Sequence, residues 1–283
     1  MSTFKFNFSD TNETVDLNLE KDSNVEWLES EEIFPDDQVK NFEKYVDHAR
    51  MFVCDELEIG HVVPDKVIEK LENKLADSIT LAEKEHSDLV AGKYEGGLKI
   101  WECTADLIEY LLKNLDKDQF KGSHVLDLGC GAGLLGIYCF LQNAEVVFQD
   151  YNSEILQHAT IPNILLNTEE ELHETDIKRC KFYSGDWAAF NNKLPGAQLF
   201  NIVLSSETIY NPSNYRKLLD LLSKRLKKDG VAYVAAKTHY FGVGGGTRLF
   251  ESALEKHGSL QSEVCWTSCG GIQREILKVT HKK

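Results

Sequence analysis

The chain of 283 residues is long enough for one large domain or for one domain with an extension, and 42% of its residues are hydrophobic, which supplies a sizeable core. A formal net charge of −15 argues against direct binding to nucleic acid and is compatible with a basic protein partner. The seven cysteines are odd in number and include no C-x-x-C pair, so neither a disulfide framework nor a metal site is expected. No segment resembles a signal peptide or a membrane span, and we expect an intracellular, soluble, monomeric protein.

The amino-terminal third lacks a regular hydrophobic pattern. Residues 1–35 carry nine acidic residues against two lysines, which predicts an acidic, mostly disordered tail with a short docking segment at residues 25–28. Residues 36–99 are mixed and predict an extension that packs on the main domain, which takes residues 100–283. Within this extension we expect helices over residues 38–57 and 65–71, and short strands or an ordered arm over residues 78–94.

The first helix of the main domain is predicted to begin at Thr104. This residue is a suitable N-cap for a helix with an apolar face formed by Leu107, Ile108, Leu111, Leu112 and Leu115. Trp101 and Glu102 precede the helix and lie outside its periodicity. Trp101 could belong to the core, or the Glu102 carboxylate beside it could bind a cationic ligand, and the residues alone leave both roles open.

The stretch over residues 125–136 predicts a buried strand, a glycine turn and the start of a helix. Gly129, Gly131 and Gly133 allow a tight turn and the close approach of a ligand. Such a unit cradles a nucleotide in a doubly wound α/β sheet. The turn matches the dinucleotide pattern G-x-G-x-x-G, but the Asp127 carboxylate suits a cationic ligand better than a pyrophosphate. S-adenosylmethionine, which carries an ammonium and a sulfonium and no phosphate, is therefore favoured over NAD.

The second and third predicted strands end beside residues suited to an adenosine group. Asp150 can accept both ribose hydroxyls, which does not separate S-adenosylmethionine from NAD, and a helix cap is its structural alternative. Tyr151 can cover the adenine face. Asp186 can accept from the adenine amino group, and Trp187 can stack on the ring or serve only as hydrophobic cover.

A fourth apolar strand, over residues 200–205, leads into Ser206 and a polar segment. The carboxyl end of a strand beside the switch point of a doubly wound sheet faces the reacting centre. Glu207, Tyr210 and Asn211 are therefore the candidates for contact with a methyl acceptor. Packing before the following proline is the alternative role of Tyr210.

The remaining elements complete the predicted sheet. They are strands over 145–150 and 180–184, a helix over 153–167 interrupted at Pro162, a loop over 168–181, a helix over 215–227, a strand over 231–236, a glycine-rich loop over 237–246, a helix over 247–255, and strands over 263–266 and 272–280. The last two strands close a mostly parallel sheet as an antiparallel pair. The pattern predicts a doubly wound, Rossmann-like α/β fold of the seven-strand methyltransferase type, with an antiparallel last strand and an N-terminal extension.

From about Ala91 onward the chain resembles the eukaryotic histidine protein methyltransferase family. The resemblance rests on residues 92–104, 127–136, 148–152, 184–187, 205–212 and 239–246. The glycine turn indicates only a methyltransferase, and Glu207-x-x-Tyr210 narrows the group to enzymes that mostly modify proteins. The Trp101-Glu102-Cys103 segment and the glycines at 244–246 narrow it further, whereas residues 1–90 support no family assignment.

The resemblance implies that S-adenosylmethionine is converted to S-adenosylhomocysteine in this site. It places cofactor contacts at Ile100, Trp101, Glu102, Cys103, Thr104, Gly129, Gln149, Asp150, Tyr151, Gly185, Asp186, Trp187 and Ser206, to which the glycine turn adds Asp127 and Gly131. The implied acceptor is the tele nitrogen of one histidine in a basic large-subunit ribosomal protein, methylated before or during ribosome assembly. The implied location is cytoplasmic and nuclear, with a nucleolar pool left open.

Three other functions remain compatible with the sequence. A protein-lysine methyltransferase shares the fold and the Glu-x-x-Tyr motif. An NAD-dependent oxidoreductase would bind NAD in place of S-adenosylmethionine. A non-catalytic chaperone or adaptor for a ribosomal protein would need no turnover.

Overall fold

The computed structural model describes residues 27–46, 48–71, 78–79 and 93–283. Within these residues, one large mixed sheet and one hairpin carry the fold. The strands are β1 (Glu32–Ile33), β2 (Ala49–Cys54), β3 (Leu57–Val62), β4 (His124–Leu128), β5 (Glu145–Gln149), β6 (Cys180–Tyr183), β7 (Phe200–Ser206), β8 (Leu226–Lys237), β9 (Leu260–Thr267) and β10 (Arg274–His281).

The strand order of the large sheet is β1-β6-β5-β4-β7-β8-β10-β9. Strands β6, β5, β4, β7 and β8 run parallel, and β10 is antiparallel to both β8 and β9. The chain moves outward from β4 to β6 and then returns to β7, so the switch point lies between β4 and β7. The predicted doubly wound seven-strand layout is confirmed, with β1 as an additional antiparallel strand on the β6 edge.

Helices cover both faces of the sheet. They are α1 (Asp36–Lys40), α2 (Phe42–Tyr45), α3 (Pro64–Lys70), α4 (Glu102–Asn114), α5 (Leu134–Leu141), α6 (Ser153–Ile155), α7 (Ile161–Leu166), α8 (His173–Asp176), α9 (Trp187–Lys193), α10 (Tyr215–Arg225) and α11 (Thr247–His257). The apolar side chains of the strands pack against these helices and form one core cluster on each face of the sheet. None of the helices in the described part of the chain is both long and apolar enough to span a membrane.

Helix α4 begins three residues earlier than predicted. Trp101 occupies the N-cap position without a side-chain cap, and Glu102 is the first helical residue. The Thr104 hydroxyl donates instead to the Ser206 hydroxyl at 3.1 Å, which joins the first turn of α4 to the end of β7. The predicted capping role of Thr104 is therefore wrong.

The segment between β5 and β6 is helical over more of its length than predicted. A π-helical turn (Leu156–Thr160) links α6 to α7 and precedes Pro162, which lies at the start of α7. In this turn the Thr160 hydroxyl donates to the Gly131 carbonyl at 2.7 Å and so supports the glycine turn. The predicted loop after α7 contains α8 and two short 3₁₀ turns, because the His173 ring hydrogen-bonds the Leu165 carbonyl at 2.9 Å and folds the chain back on α7.

The predicted helix over residues 38–57 is wrong. Helices α1 and α2 end at Tyr45, and β2 and β3 form an antiparallel hairpin. Strand β2 alternates between exposed and half-buried side chains over residues 51–54, a period of two that the apolar run at residues 51–53 concealed. Helix α7 fixes the hairpin, because Asn163 and Asn167 accept from the backbone N–H groups of β3 at 2.7 and 2.9 Å.

The amino-terminal segment reaches the sheet earlier than the predicted boundary at residue 35. Residues 1–26 lie outside the described residues, but residues 27–33 run along β6. Ser184 and Asp186 donate backbone N–H groups to the Glu31 and Leu28 carbonyls at 2.8 and 3.0 Å. The predicted arm over residues 78–94 lies mostly outside the described residues, and the predicted helix after Pro64 is confirmed as α3.

Candidate active site

A cleft opens at the carboxyl ends of β4, β5, β6 and β7, where the switch point of the sheet leaves room for a ligand. It encloses about 910 Å³ including its open mouth. Thirteen of the predicted site residues line it: Ile100, Trp101, Thr104, Gly129, Gly131, Asp150, Tyr151, Gly185, Asp186, Trp187, Ser206, Glu207 and Tyr210. The remaining five, Glu102, Cys103, Asp127, Gln149 and Asn211, lie behind or beside it.

The glycine turn forms the floor of the cleft. Gly129 and Gly131 have φ values of +67° and +51°, in the left-handed region that favours glycine. A Cβ on Gly131 would lie 2.7 Å from the Gly97 carbonyl oxygen, and one on Gly129 would lie 2.6 Å from the Thr208 methyl carbon. Both glycines are therefore required by close approach of the neighbouring chain as well as by backbone conformation.

Asp127 lies behind this turn and holds helix α5. Its Oδ2 accepts from the Gly136 N–H at 2.8 Å, and the residue is almost completely buried. Burial raises the pKa of Asp127 to about 8, with the Asp150 charge adding to the increase. The predicted position of Asp127 facing a cationic ligand is wrong, because its carboxyl group points at the start of α5.

Asp150 does face the cleft, at the end of β5. Its two carboxylate oxygens accept from the backbone N–H groups of Gly131 and Asn152 at 2.8 and 3.2 Å. Each oxygen has two lone pairs, so the carboxylate can still accept the two ribose hydroxyls. Burial raises the pKa of Asp150 to about 6, against the lowering effect of these hydrogen bonds.

The wall beyond Asp150 is held by Gln149, which is completely buried and does not line the cleft. Its amide donates to the Gly185 carbonyl at 2.8 Å, and its oxygen accepts from the Trp187 indole N–H at 3.0 Å. Gln149 therefore fixes the two residues that flank a bound adenine group. Its predicted role as a direct contact is replaced by one of support.

Asp186 has partners other than the predicted adenine amino group. One oxygen caps α9 by accepting from the Ala188 N–H at 2.9 Å, and the other lies 2.7 Å from the Lys217 ammonium. The same ammonium lies 3.1 Å from the centre of the Trp27 ring. Trp27 thus reaches the cleft although it precedes the family resemblance, and the predicted docking segment at residues 25–28 was the one sequence signal for it.

Glu207 occupies the opposite end of the cleft, at the end of β7. It has a positive φ of 59°, a conformation that a non-glycine residue adopts at a cost. The Tyr240 hydroxyl donates to Oε2 at 2.6 Å, and the Lys237 ammonium lies 3.7 Å from Oε1. Among the described residues, Oε1 is buried without a hydrogen-bond partner. It therefore has unused acceptor capacity, on a residue that lines the cleft.

Tyr210 is fixed by the glycine-rich loop that follows β8. The Gly245 N–H donates to the Tyr210 carbonyl at 2.9 Å, and the Tyr210 hydroxyl donates to Glu95. A Cβ on Gly245 would lie 2.2 Å from the same carbonyl oxygen, so only glycine fits. Asn211 does not line the cleft, since its side chain accepts from the Ser213 N–H at 3.0 Å and caps a 3₁₀ turn.

Residues 100–104, at the start of α4, lie partly along the cleft and partly in the protein interior. Ile100, Trp101 and Thr104 line the cleft. Cys103 is completely buried, and its thiol pKa is raised by burial and by the adjacent Glu207 carboxylate. The Glu102 side chain is 60% exposed and pairs with Lys237 at 3.2 Å.

Several residues that line the cleft were not predicted as site residues from the sequence. They are Trp27, Glu95, Gly96, Gly97, Lys99, Cys130, Ala132, Leu134, Leu135, Thr208 and Asn214. The glycines at 96 and 97 entered only through the resemblance over residues 92–104, whereas the Gly97 carbonyl packs against the glycine turn. Lys237 and Tyr240 were assigned only to the predicted loop over residues 237–246, and no motif linked them to Glu207.

The cleft fits S-adenosylmethionine. Glycines at the floor allow close approach, the buried Asp150 carboxylate is an acceptor for ribose hydroxyls, and the Trp27, Trp101 and Trp187 side chains supply apolar and aromatic cover. The parallel sheet with its antiparallel β10 and the cleft at its switch point define the class of S-adenosylmethionine-dependent methyltransferases. S-adenosylmethionine is the cofactor of this class.

A solved structure has the same fold. The N-methyltransferase NodS from Bradyrhizobium japonicum WM9, in complex with S-adenosyl-L-homocysteine, matches with a TM-score of 0.50 and 15% sequence identity. The match covers 73% of this chain and 99% of that chain. At this identity the likeness supports the fold alone.

Sequence comparisons define the family. A family model described as "Lysine methyltransferase" matches residues 76–244. A "Histidine protein methyltransferase 1 homolog" from Bos taurus is 42% identical over 219 residues, 70% of this chain and 58% of that protein. One from Mus musculus is 37% identical over 264 residues, 80% of this chain and 72% of that protein. The chain belongs to the histidine protein methyltransferase family, and it spans less than two thirds of the length of the bovine relative.

Proposed function

We propose that this protein transfers a methyl group from S-adenosylmethionine to a ring nitrogen of a histidine side chain in another protein. The observation that carries the proposal is the Glu207 carboxylate. Glu207 lines the cleft, its Oε2 is held by Tyr240, and its Oε1 is buried and without a hydrogen-bond partner among the described residues. Such an acceptor suits the N–H group of an imidazole ring.

The chain's own residues orient the acceptor. Bound S-adenosylmethionine supplies an electrophilic methyl group on a sulfonium, which the acceptor nitrogen displaces in line. An imidazole with its usual pKa of about 6.5 is mostly neutral at pH 7, so no strong base is needed before transfer. Glu207 Oε1 accepts from the other ring N–H, which selects the reactive tautomer and stabilises the imidazolium that transfer produces. Tyr210 and Trp101 bound the space in which the ring lies and reduce its access to water.

The acceptor protein is proposed to be a basic large-subunit ribosomal protein, methylated at the tele nitrogen in the cytoplasm or nucleus. Support comes from the sequence resemblance and from the formal charge of −15, which favours encounter with a basic partner. The second candidate acceptor is lysine, because the matching family model is described as "Lysine methyltransferase".

Amino-acid analysis after methyl transfer tests the proposal. The protein is incubated with S-adenosylmethionine labelled in the methyl group and with an extract of total cell protein, which is then hydrolysed. We expect label in tele-methylhistidine, and isolation of the labelled protein identifies the acceptor. Label confined to methyl-lysine would replace the proposal with the second candidate.

Variants then test the role of Glu207. Glu207→Ala should abolish transfer while S-adenosylmethionine binds with nearly unchanged affinity in calorimetry. Asn211→Ala is the matched control, because it removes a carboxamide of the same loop that caps a 3₁₀ turn and lies outside the cleft. Loss of cofactor binding in Glu207→Ala would make Glu207 a cofactor residue.

A further inference from the structure

Lys237, the last residue of β8, brings a positive charge to the acceptor end of the cleft. Its ammonium lies 3.2 Å from a Glu102 oxygen and 3.7 Å from Glu207 Oε1, and its side chain is only 16% exposed. The ring centres of Trp101 and Tyr240 lie 5.6 and 5.8 Å from the ammonium. Two carboxylates and two aromatic rings thus surround one cation that belongs to the protein.

Without Lys237, these carboxylates and aromatic rings would bind the ammonium group of a ligand. Carboxylates and aromatic faces attract ammonium groups, and the attraction strengthens where water is excluded. Burial alone lowers the pKa of Lys237, but the charges of Glu207 and Glu102 more than offset it, and the net pKa is raised. Lys237 is therefore an ammonium at neutral pH and already balances the carboxylate that would attract a lysine side chain.

A second cation lies on the same side. The Lys99 ammonium is 4.3 Å from the centre of the Trp101 ring. The nearby Glu95 carboxylate accepts from the Tyr210 hydroxyl, so it has a partner of its own. At short range the Lys237 ammonium would repel an incoming ammonium group, whereas a neutral imidazole would meet no such repulsion.

We propose that Lys237 determines acceptor specificity, by excluding lysine ammonium groups from the site and leaving Glu207 Oε1 to a neutral imidazole. The distance of 3.7 Å is too long for a hydrogen bond, so Lys237 compensates the charge of Glu207 without occupying its free acceptor. This inference rests on the proposed function, because it explains how the same carboxylate serves a histidine in preference to a lysine.

Inhibition by side-chain analogues tests the inference in the 283-residue protein. Imidazole and n-butylammonium are added separately, at matched ionic strength, to the reaction with labelled S-adenosylmethionine and cell extract, where each competes with the acceptor protein. For the wild type we expect imidazole to inhibit and n-butylammonium to have no effect beyond that of sodium chloride. In Lys237→Met, which keeps the length of the side chain and removes its charge, n-butylammonium should inhibit at a concentration at least tenfold lower than in the wild type.

Further variants separate charge from structure. Lys237→Arg keeps the charge and should exclude n-butylammonium as the wild type does, and Lys237→Gln supplies a second neutral variant if Lys237→Met does not fold. Lys278→Met is the matched control, because Lys278 also pairs with a carboxylate, that of Glu263 at 3.0 Å, and does not line the cleft. Its selectivity between the two analogues should equal that of the wild type.

The outcomes distinguish the two proposals. If the wild type labels histidine but folded neutral variants exclude n-butylammonium as strongly as the wild type, the inference about Lys237 is wrong and the proposed function stands. If the wild type labels lysine, both fall. If Lys237→Arg loses selectivity together with Lys237→Met, side-chain shape and not charge determines the acceptor, which also overturns the inference.

Discussion

Four buried carboxyl groups lie within the site region, and their surroundings differ. Asp127 stabilises the start of α5, Asp186 caps α9 and pairs with Lys217, and Asp150 and Glu207 line the cleft at the ends of β5 and β7. Burial raises the pKa of Asp127 to about 8 and that of Asp150 to about 6. Both changes have measurable consequences at ordinary pH.

Cofactor affinity should depend on the protonation of Asp150. Ribose hydroxyls donate to the ionised carboxylate, so affinity should be constant above about pH 6 and fall below it, by about tenfold at pH 5. Calorimetric titration with S-adenosylmethionine from pH 5 to pH 8 measures this. Asp150→Asn should bind more weakly at pH 7.5 and should lose the dependence on pH, and an unchanged profile in this variant would assign the effect to another group.

Stability should depend on the protonation of Asp127. Its folded pKa of about 8 exceeds the ordinary aspartic acid value of 3.8, so the folded state holds the proton more tightly, and the group lowers stability as pH rises from about 4 to about 8. Asp127→Asn stays neutral at every pH. The stability of this variant relative to wild type should rise by up to about 1.4 kcal/mol per pH unit over this range and level off above it.

Urea unfolding of the cofactor-free protein at pH 5, 6, 7 and 8 tests this prediction for Asp127. The difference between the two proteins, and not the absolute stability, carries the result, because the many other acidic groups titrate in both. A difference that stays constant with pH would show that Asp127 is ionised in the folded protein.

For single residues, the sequence predicted which positions line the cleft better than it predicted what each side chain does there. Asp150, Glu207 and Tyr210 were placed in the cleft because each follows a predicted parallel strand. The direction of the Asp127 side chain could not be predicted, since both faces of a buried strand are apolar and the choice depends on packing. Tyr240 was missed because its contact with Glu207 joins residues of two different loops.

Among the elements, the glycine-rich loop after β8 determines the position of Tyr210. Gly245→Ala should displace the Tyr210 carbonyl, which lies 2.2 Å from the position of the added Cβ. We expect kcat for methyl transfer to fall at least tenfold while S-adenosylmethionine affinity changes little, because the cofactor contacts lie at the other strand ends. Steady-state kinetics together with calorimetry measure the two effects.

Gly242→Ala is the control within the same loop. Gly242 has a φ of +86°, and a Cβ there would meet nothing within 4 Å. Its substitution should cost about 1 kcal/mol of stability through backbone strain and should leave kcat close to the wild-type value. Equal losses of kcat in the two variants would indicate that loop flexibility, and not the contact with Tyr210, is responsible.

Elements with long apolar runs were predictable, and those formed by tertiary pairing were not. Strands β4 to β7 are continuous apolar segments and were found with boundaries within one residue. Strand β2 was taken for part of a helix because a short apolar run fits either period. Strand β1 has two residues, and only the free edge of β6 makes it a strand.

For the whole molecule, the segment over residues 27–33 links the edge of the sheet to the cleft. Trp27 lines the adenine end and is held by Lys217, which Asp186 positions. Trp27→Ala should therefore weaken S-adenosylmethionine binding several-fold, mainly through faster dissociation. Stopped-flow measurement of cofactor release tests this.

Leu28→Ala is the matched substitution for this prediction. Its side chain is exposed and belongs to the same segment, whereas its backbone carbonyl, which accepts from Asp186, is retained. Release from this variant should equal release from the wild type. Faster release from both variants would mean that the segment closes the cleft as a unit and that the indole of Trp27 has no special role.

The pairing of β1 with β6 also has a consequence for biosynthesis. Glu32 pairs with Tyr183, about 150 residues further along the chain, so residues 27–33 are synthesised long before their partner strand leaves the ribosome. Until then residues 27–33 have no partner strand, and an unpaired extended segment can associate with other nascent chains. The part of the cleft that Trp27 lines is therefore completed only after β6 has been synthesised.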